Sequence, residues 1–305
     1  MTAPLVVWQL TDGKPGHEHQ TLGLIRAMER LIPVQTIRID LRQQPVGIMD
    51  ILMRRFPNDY PEPSLVLGAG HGTHLAMLAA KLATGGRTVV LMKPSLPLSW
   101  FDYVIMPQHD HPPHQPHVMG TYGVLNPVTP APALKADRGL MLLGGPSKRH
   151  GWDEESMVSQ MKAVLAANPN VQWQISTSRR TPEHTFLEIR NIAPHAKVWS
   201  ASETPQGWVE QQLQEAGQVW VSEDSVSMIF ESLTAGGQVG VLQTPRLQED
   251  RITQAIDQLL VQRWLTSFES WQKSGVLQRA PRFCEADRVA DWLLRCEGLL
   301  TTAAA

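Results

Sequence analysis

Apolar runs of strand length alternate with helix-period segments twice along this chain, and a proline-rich stretch separates the two series. In the first series residues 5–10, 34–39, 65–67, 88–92 and 103–106 read as strands. A helix near 18–31 follows the first, with Leu22, Ile25 and Ile32 at helical spacing. Another follows Gly68-Ala69-Gly70-His71-Gly72 and ends at Gly85-Gly86. The pattern stops at 126–136, Asn-Pro-Val-Thr-Pro-Ala-Pro-Ala-Leu-Lys-Ala, which has little to bury. It restarts with strands at 139–143, 171–176, 197–200, 218–221 and 239–242, and a helix near 153–167. Such alternation specifies parallel sheets covered by helices on both faces. The expectation is an α/β protein of two Rossmann-like domains, 1–136 and 137–305, with a ligand cleft between them. The last helix-like stretch, 285–294, is expected to pack back on the first domain.

Composition narrows the class. The 305 residues suit two domains better than one. Hydrophobic residues at 42% and charged residues at 18% are those of a folded globular protein. A net charge of −2 gives no bulk pull toward nucleic acid. Cys284 and Cys296 have no second pair, so neither a disulfide framework nor a zinc knuckle is expected. No segment approaches the ~20 apolar residues of a membrane span. The start, Met1-Thr2-Ala3-Pro4, lacks the basic region of a signal peptide. A cytoplasmic protein is expected, with contact at the inner face of the membrane as the outer limit. No amphipathic anchor stands out. Trp100, Trp152 and Trp208 lie in polar loops and are candidates for a groove or a membrane surface.

The stretch 219–231 carries the most chemistry. A short apolar strand runs into Ser222-Glu223-Asp224-Ser225, and a helix opens that Gly236-Gly237 closes. Such a turn aims unpaired N–H groups and the positive end of the helix dipole at an anion. Val226, Ile229, Phe230 and Leu233 form the buried stripe, while Ser227 and Glu231 share another face. A carboxylate there suits ribose hydroxyls, with phosphates on the N–H groups. The plainer reading is that Asp224 or Ser225 only caps the helix.

Four more loops follow strands. Thr11-Asp12-Gly13-Lys14-Pro15-Gly16-His17-Glu18-His19 crowds charge at the end of the first strand, with Gly13 and Gly16 permitting close backbone approach. It is neither a Walker A sequence nor a GxGxxG fingerprint. Gly144-Gly145-Pro146-Ser147-Lys148-Arg149 occupies the equivalent place in the second half and reads as a diphosphate cradle or a plain turn. In Thr177-Ser178-Arg179-Arg180-Thr181-Pro182 either arginine could clamp a phosphate, or Thr181 caps the helix that Pro182 starts. The loop 108–117 holds four histidines and Asp110, but its prolines prevent a regular element. It is read as offering His109 or Asp110 to the cleft, without a metal.

These loops together resemble the bacterial ELM-like family, labelled "mitochondrial fission ELM" after plant relatives and described as glycosyltransferases. The matching stretches are 11–17, 106–110, 143–148, 177–182 and 222–228, in order over about three quarters of the chain. The family in turn looks like the GT-B glycosyltransferases, in which two Rossmann-like domains face a cleft. In proteins similar to the muramyl N-acetylglucosaminyl transferase a glycine-rich loop ends in histidine, as Gly16-His17 does. A Gly-Gly-Ser loop opens their second domain, as Gly144, Gly145 and Ser147 do, and a helix glutamate, here Glu231, holds the donor ribose. The chain departs in reading Gly237-Gln238-Val239 where relatives read Gly-Lys-Pro, and in having His19 where an asparagine is expected.

The resemblance implies a metal-independent, inverting transfer of sugar from a nucleoside-diphosphate sugar to a glycan or lipid-linked acceptor, in cell-envelope synthesis, with no resident cofactor. His17 or Asp12 would be the base, since histidine's ordinary pKa near 6.5 suits the task. Donor contacts would come from Gly13, Lys14, Gly16, His109, Gly144, Gly145, Ser147, Lys148, Ser178, Arg179, Glu223, Asp224, Ser225, Ser227 and Glu231. Two alternatives remain: a nucleotide-sugar 2-epimerase on the same frame, and a non-catalytic nucleotide-sugar-binding or scaffold protein.

Overall fold

A computed structural model describes residues 3–57 and 59–301. Met1 and Thr2, part of the N-terminal stretch considered above, lie outside the described residues. The described chain divides into two compact units, one comprising residues up to Pro127 together with those from Glu285 onward, the other Val128–Cys284.

The first unit is built on β1 (Leu5–Thr11), α1 (Pro15–Glu29), β2 (Val34–Asp40), α2 (Ile48–Leu52), β3 (Leu65–Ala69), α3 (His74–Thr84), β4 (Arg87–Leu91), β5 (Tyr103–Pro107) and β6 (Val118–Thr121). All six strands run parallel in the order β2-β1-β3-β4-β5-β6. Helix α1 starts at Pro15, earlier than periodicity alone suggests. Proline at the first helical position loses no hydrogen bond and presets φ.

The second unit repeats the plan. Its elements are β7 (Lys135–Leu143), α4 (Glu154–Ala167), β8 (Gln172–Thr177), α5 (Glu183–Ile192), β9 (Lys197–Trp199), α6 (Trp208–Leu213), β10 (Ala216–Ser222), α7 (Val226–Ala235), β11 (Gln238–Leu242), α8 (Arg251–Val261), β12 (Thr266–Ser267) and α9 (Phe268–Ser274). Its six parallel strands are ordered β12-β11-β10-β7-β8-β9. The chain then closes on the first unit with α10 (Glu285–Cys296).

Strand alternation explains the cores. Along β1 and β3, Val7, Leu65 and Leu67 meet α1 and α10, while Trp8, Leu10 and Val66 face the α3 side. Because both faces are covered, central strands such as β3 and β5 read as continuous apolar runs. Val289, Leu293 and Leu294 of α10 are fully buried against Leu24, Ile25 and Met28 of α1. In the second unit Met141, Leu143, Ile175 and Trp220 pack with Met157 and Met161 of α4 and Trp271 of α9. The architecture is that of two Rossmann-like halves, a GT-B-like α/β fold.

Candidate functional site

Strand order locates the crevices. In an open parallel sheet a crevice forms where successive connections leave in opposite directions, above the carboxyl ends of the strands. In the first sheet that point lies between β1 and β3, and in the second between β7 and β10. The loops that leave these four strands are 11–17, 70–73, 144–150 and 222–225.

In the first unit the β1 loop places Asp12 against His17. Its carboxylate accepts from His17 Nδ1 at 3.0 Å and from the Lys14 amide at 3.2 Å. Lys14 Nζ lies 3.6 Å away. Burial alone would raise the Asp12 pKa; the Lys14 amide, His17 and the Lys14 charge outweigh it and hold the carboxyl below the usual range. An ionised carboxylate can only accept, so the shared proton is on Nδ1 and the Nε2 lone pair is free to take another. The imidazole leans on Gly70, where φ is +77° and a Cβ would come within 2.2 Å of the ring. Gly70 thus supplies both the left-handed turn and the space for His17. Gly13 likewise has φ +79°, with the Arg42 guanidinium beside it, whereas Gly16 has open space around it. His109 sits in a 3-10 turn after β5, on the same sheet edge but two strands beyond β3.

In the second unit three loops are tied into one knot, with Asp224 at its centre. The Asp224 carboxylate accepts from the Gly145 amide at 3.0 Å, from Ser222 Oγ at 2.7 Å and from Ser225 Oγ at 3.2 Å. Arg180 donates to it at 2.7 Å and also to the Gly145 carbonyl at 2.6 Å. Ser178 Oγ donates to the Gly144 carbonyl at 2.8 Å, and the Gly144 amide donates to Ser222 Oγ at 2.7 Å. Both glycines are required by this closeness. A Cβ on Gly144 would stand 2.0 Å from Asp224 Oδ2, and one on Gly145 would stand 2.2 Å from the Arg180 carbonyl oxygen. Their amides are therefore engaged by protein groups. Ser147 is engaged too: its Oγ accepts from the Arg149 and His150 amides at 3.2 and 3.1 Å.

What the knot leaves open is equally specific. Ser225 stands at the N-cap of α7, but its side chain makes no cap hydrogen bond, and neither does that of Asp224. The capping role that sequence allowed these two is therefore not the one their side chains perform. Ser227, Lys148 and Arg179 are exposed. Glu231, on the second turn of α7, is half-buried and makes no hydrogen bond or ion pair among the described residues. Burial, with a smaller contribution from Glu210, pushes its carboxyl up to about 7.

Glu223 turns to the other side of β10. Its carboxylate accepts from Arg246 Nε at 2.7 Å, and Arg246 also holds Asp257 at 2.6 Å. These three, with Thr244 and Gln243, line a cavity of about 550 Å³ beyond the end of β11. Arg246 escaped the sequence reading. The cue was present, since Gln243-Thr244-Pro245-Arg246 leaves the end of a strand next to the switch point. Arg180 is the arginine that forms the knot; its neighbour Arg179 points into solvent. Trp208 is buried and Trp100 is about half exposed. Among the described residues no group of three or more His, Cys, Asp or Glu is placed to hold a metal ion.

Comparisons with known proteins agree with this architecture. The chain resembles the structure described as a UDP-N-acetylglucosamine 2-epimerase from Listeria monocytogenes, with 11% identity, 98% of both chains covered and a TM-score of 0.58. The UDP-GlcNAc 2-epimerase from Methanocaldococcus jannaschii overlays with 11% identity over 96% of this chain and 100% of that one, TM-score 0.54. At these identities the likeness is one of fold. The uncharacterized protein RP120 of Rickettsia prowazekii (strain Madrid E) is 22% identical over 316 aligned positions, covering 84% of this chain and 88% of the relative. Residues 15–296 match the family described as Mitochondrial fission ELM1, and the chain belongs to that family.

Proposed function

We propose that the chain transfers a sugar from a nucleoside-diphosphate sugar to an acceptor hydroxyl, the second unit holding the donor and the first supplying the base. The observation that carries this reading is the switch point of the second unit. There the Asp224 knot braces three loops beside an uncapped helix N-terminus, and the Glu231 carboxylate, without a partner among the described residues, stands on the next turn. The amides of the first turn of α7, Ser227, Lys148 and Arg179 provide positive potential and donors for a diphosphate. Glu231 accepts from the ribose hydroxyls. Gly144, Gly145, Ser178 and Asp224 shape the floor rather than touch the phosphates, because their polar groups are satisfied by one another.

In the first unit His17 Nε2 takes the proton of the acceptor hydroxyl, and Asp12 stabilises the imidazolium that forms. Charge developing on the departing diphosphate meets fixed N–H groups and cations, so the reading calls on no metal. A single displacement at the anomeric carbon inverts it. Lys14 and Gly13 frame the acceptor side; His109 lies farther along the same edge. The acceptor class we favour is a glycan or lipid-linked hydroxyl of the cell envelope.

A second reading is favoured by one finding. The Listeria monocytogenes and Methanocaldococcus jannaschii structures, which overlay with TM-scores above 0.5, are both named as 2-epimerases, and an epimerase would use the same donor pocket. Incubation with UDP-, GDP-, ADP- and CMP-linked sugars separates the two. Nucleotide release that depends on added glycan or lipid acceptor is the expected result. Conversion of the sugar without acceptor would establish the epimerase, and binding without turnover would establish a non-catalytic nucleotide-sugar protein.

A further inference from the structure

Four of the exposed apolar side chains of the first unit sit on one short helix and its cap. Ile48, Met49, Leu52 and Met53 of α2 and its C-cap are 64, 54, 71 and 56% exposed. The helix is fixed from beneath by Val46 and Phe56, which pack on the core around Trp8. Its start is closed by Asp50, whose carboxylate accepts from the Gly47 amide at 3.0 Å. Its end is closed by paired bonds from the Arg54 amide to the Ile51 carbonyl, 3.1 Å, and from the Arg55 amide to the Asp50 carbonyl, 3.0 Å. That is a Schellman turn, and its left-handed position is ordinarily glycine. Here Arg54 occupies it at φ +49°, with its side chain exposed and unpaired among the described residues. Arg55 is exposed as well and bridges to Asp50 at 2.9 Å.

We propose that α2 docks the first unit on an anionic lipid surface, with Ile48, Met49, Leu52 and Met53 in the headgroup–acyl boundary and Arg54 and Arg55 at the level of the lipid phosphates. Three features favour lipid over a protein partner. The apolar side chains are held outward on a rigid turn, so insertion costs little ordering entropy. Two arginines against one aspartate give the tip the sign that attracts anionic headgroups. Four apolar side chains on a five-residue helix and its cap fall short of the roughly 20 residues a side of a stable protein interface. An arginine at a position that glycine fills more easily is explained by the charge it presents. The surface deepens the contact expected of a lipid-linked acceptor, but it does not rest on the donor reading.

The test is co-sedimentation of the full chain with vesicles of phosphatidylglycerol and phosphatidylethanolamine, compared with phosphatidylcholine alone. Binding to the anionic vesicles that weakens with salt is expected. Leu52→Asp lowers the partition coefficient by about tenfold or more, since an exposed apolar anchor is replaced by a charge of the wrong sign. Arg54→Gly suits the left-handed turn, so the fold is retained or tightened, yet the partition falls by about fivefold at low ionic strength. The donor-induced thermal shift of both variants stays that of the parent, which separates this surface from the reaction. Absence of binding to anionic vesicles, or binding that Leu52→Asp and Arg54→Gly leave unchanged, overturns the proposal. So does self-association in sedimentation velocity that Leu52→Asp abolishes without any vesicle binding, which would assign the face to a second copy of the chain.

Discussion

The guanidinium of Arg180 donates to the Asp224 carboxylate at 2.7 Å, joining the loop after β8 to the loop after β10 over a carboxylate with no solvent exposure. The same guanidinium holds the Gly145 carbonyl, so one side chain fixes the relative position of all three loops above the switch point. Removing a single partner from a buried charge leaves that charge uncompensated. Asp224 keeps three other donors, so Arg180→Met is expected to cost about 2 kcal/mol of unfolding free energy. Arg180→Lys recovers only part of it, because an ammonium cannot reproduce the fork. Urea denaturation of the two variants measures both values.

Gly144 is a second point of sensitivity. A methyl group there meets Asp224 Oδ2 and Ser225 Oγ near 2 Å, and these side chains are locked by their other bonds. Gly144→Ala is expected to destabilise by about 2–3 kcal/mol. It is also expected to weaken nucleotide binding beyond what lost stability explains, since the floor of the site must move. Donor affinity measured well below the unfolding midpoint separates the two effects.

Glu231 makes stability depend on pH with a defined sign. Its folded-state pKa, about 7, lies above its ordinary 4.5. The native state therefore keeps the proton longer than the unfolded chain. The associated stability is complete below 4.5 and is lost as pH rises through about 7. Glu231→Gln is expected to be more stable than the parent above neutrality by on the order of 1–3 kcal/mol. The gap should close in mildly acidic solution. Asp12 behaves in the opposite sense: its contribution is present above 3.8 and fades as pH falls through its depressed value. Urea midpoints across the pH range report both trends.

The Asp12–His17 pair predicts a split between turnover and binding. His17→Ala should lower kcat by about 10²–10⁴-fold, with donor affinity nearly unchanged. Asp12→Asn should also lower kcat, because an amide no longer fixes the tautomer. Equal losses in kcat and donor affinity would argue against the base role.

The C-terminal helix is predicted to stabilise the first unit. Leu293 is fully buried in the same cluster as Leu24 and Met28. Leu293→Ala should cost about 3 kcal/mol, read in hydrogen exchange as weakened protection of α1 and β3, with the second unit unchanged.

Much of this was legible in the chain itself, for a physical reason. Parallel strands buried on both faces read as unbroken apolar runs, and Leu65-Val66-Leu67 is as clear in sequence as in the sheet. Strand β6, with Gly120 inside it and prolines before it, carries no such run, and β12 is two residues long. Helix α2 was hidden because five residues are too few to show a period. Strand ends pointed to the loops that bear chemistry. The partners within those loops were not legible, because Arg180 and Asp224 are 44 residues apart and meet only through strand order. Gly144 and Gly145 read as room for a ligand; in the folded chain it is Asp224, Ser225 and the Arg180 carbonyl that come close.

The proposed donor site of the second unit grips a ribonucleoside diphosphate through Glu231 and the start of α7. Its most direct measurement is the affinity of the full chain and of Glu231→Gln for UDP, GDP and ADP and for their 2′,3′-dideoxy counterparts. The parent is expected to bind at least one ribonucleotide more tightly than its dideoxy form by about tenfold, and Glu231→Gln to erase most of that preference. Absence of binding to every nucleotide, or the same discrimination in both proteins, would contradict it.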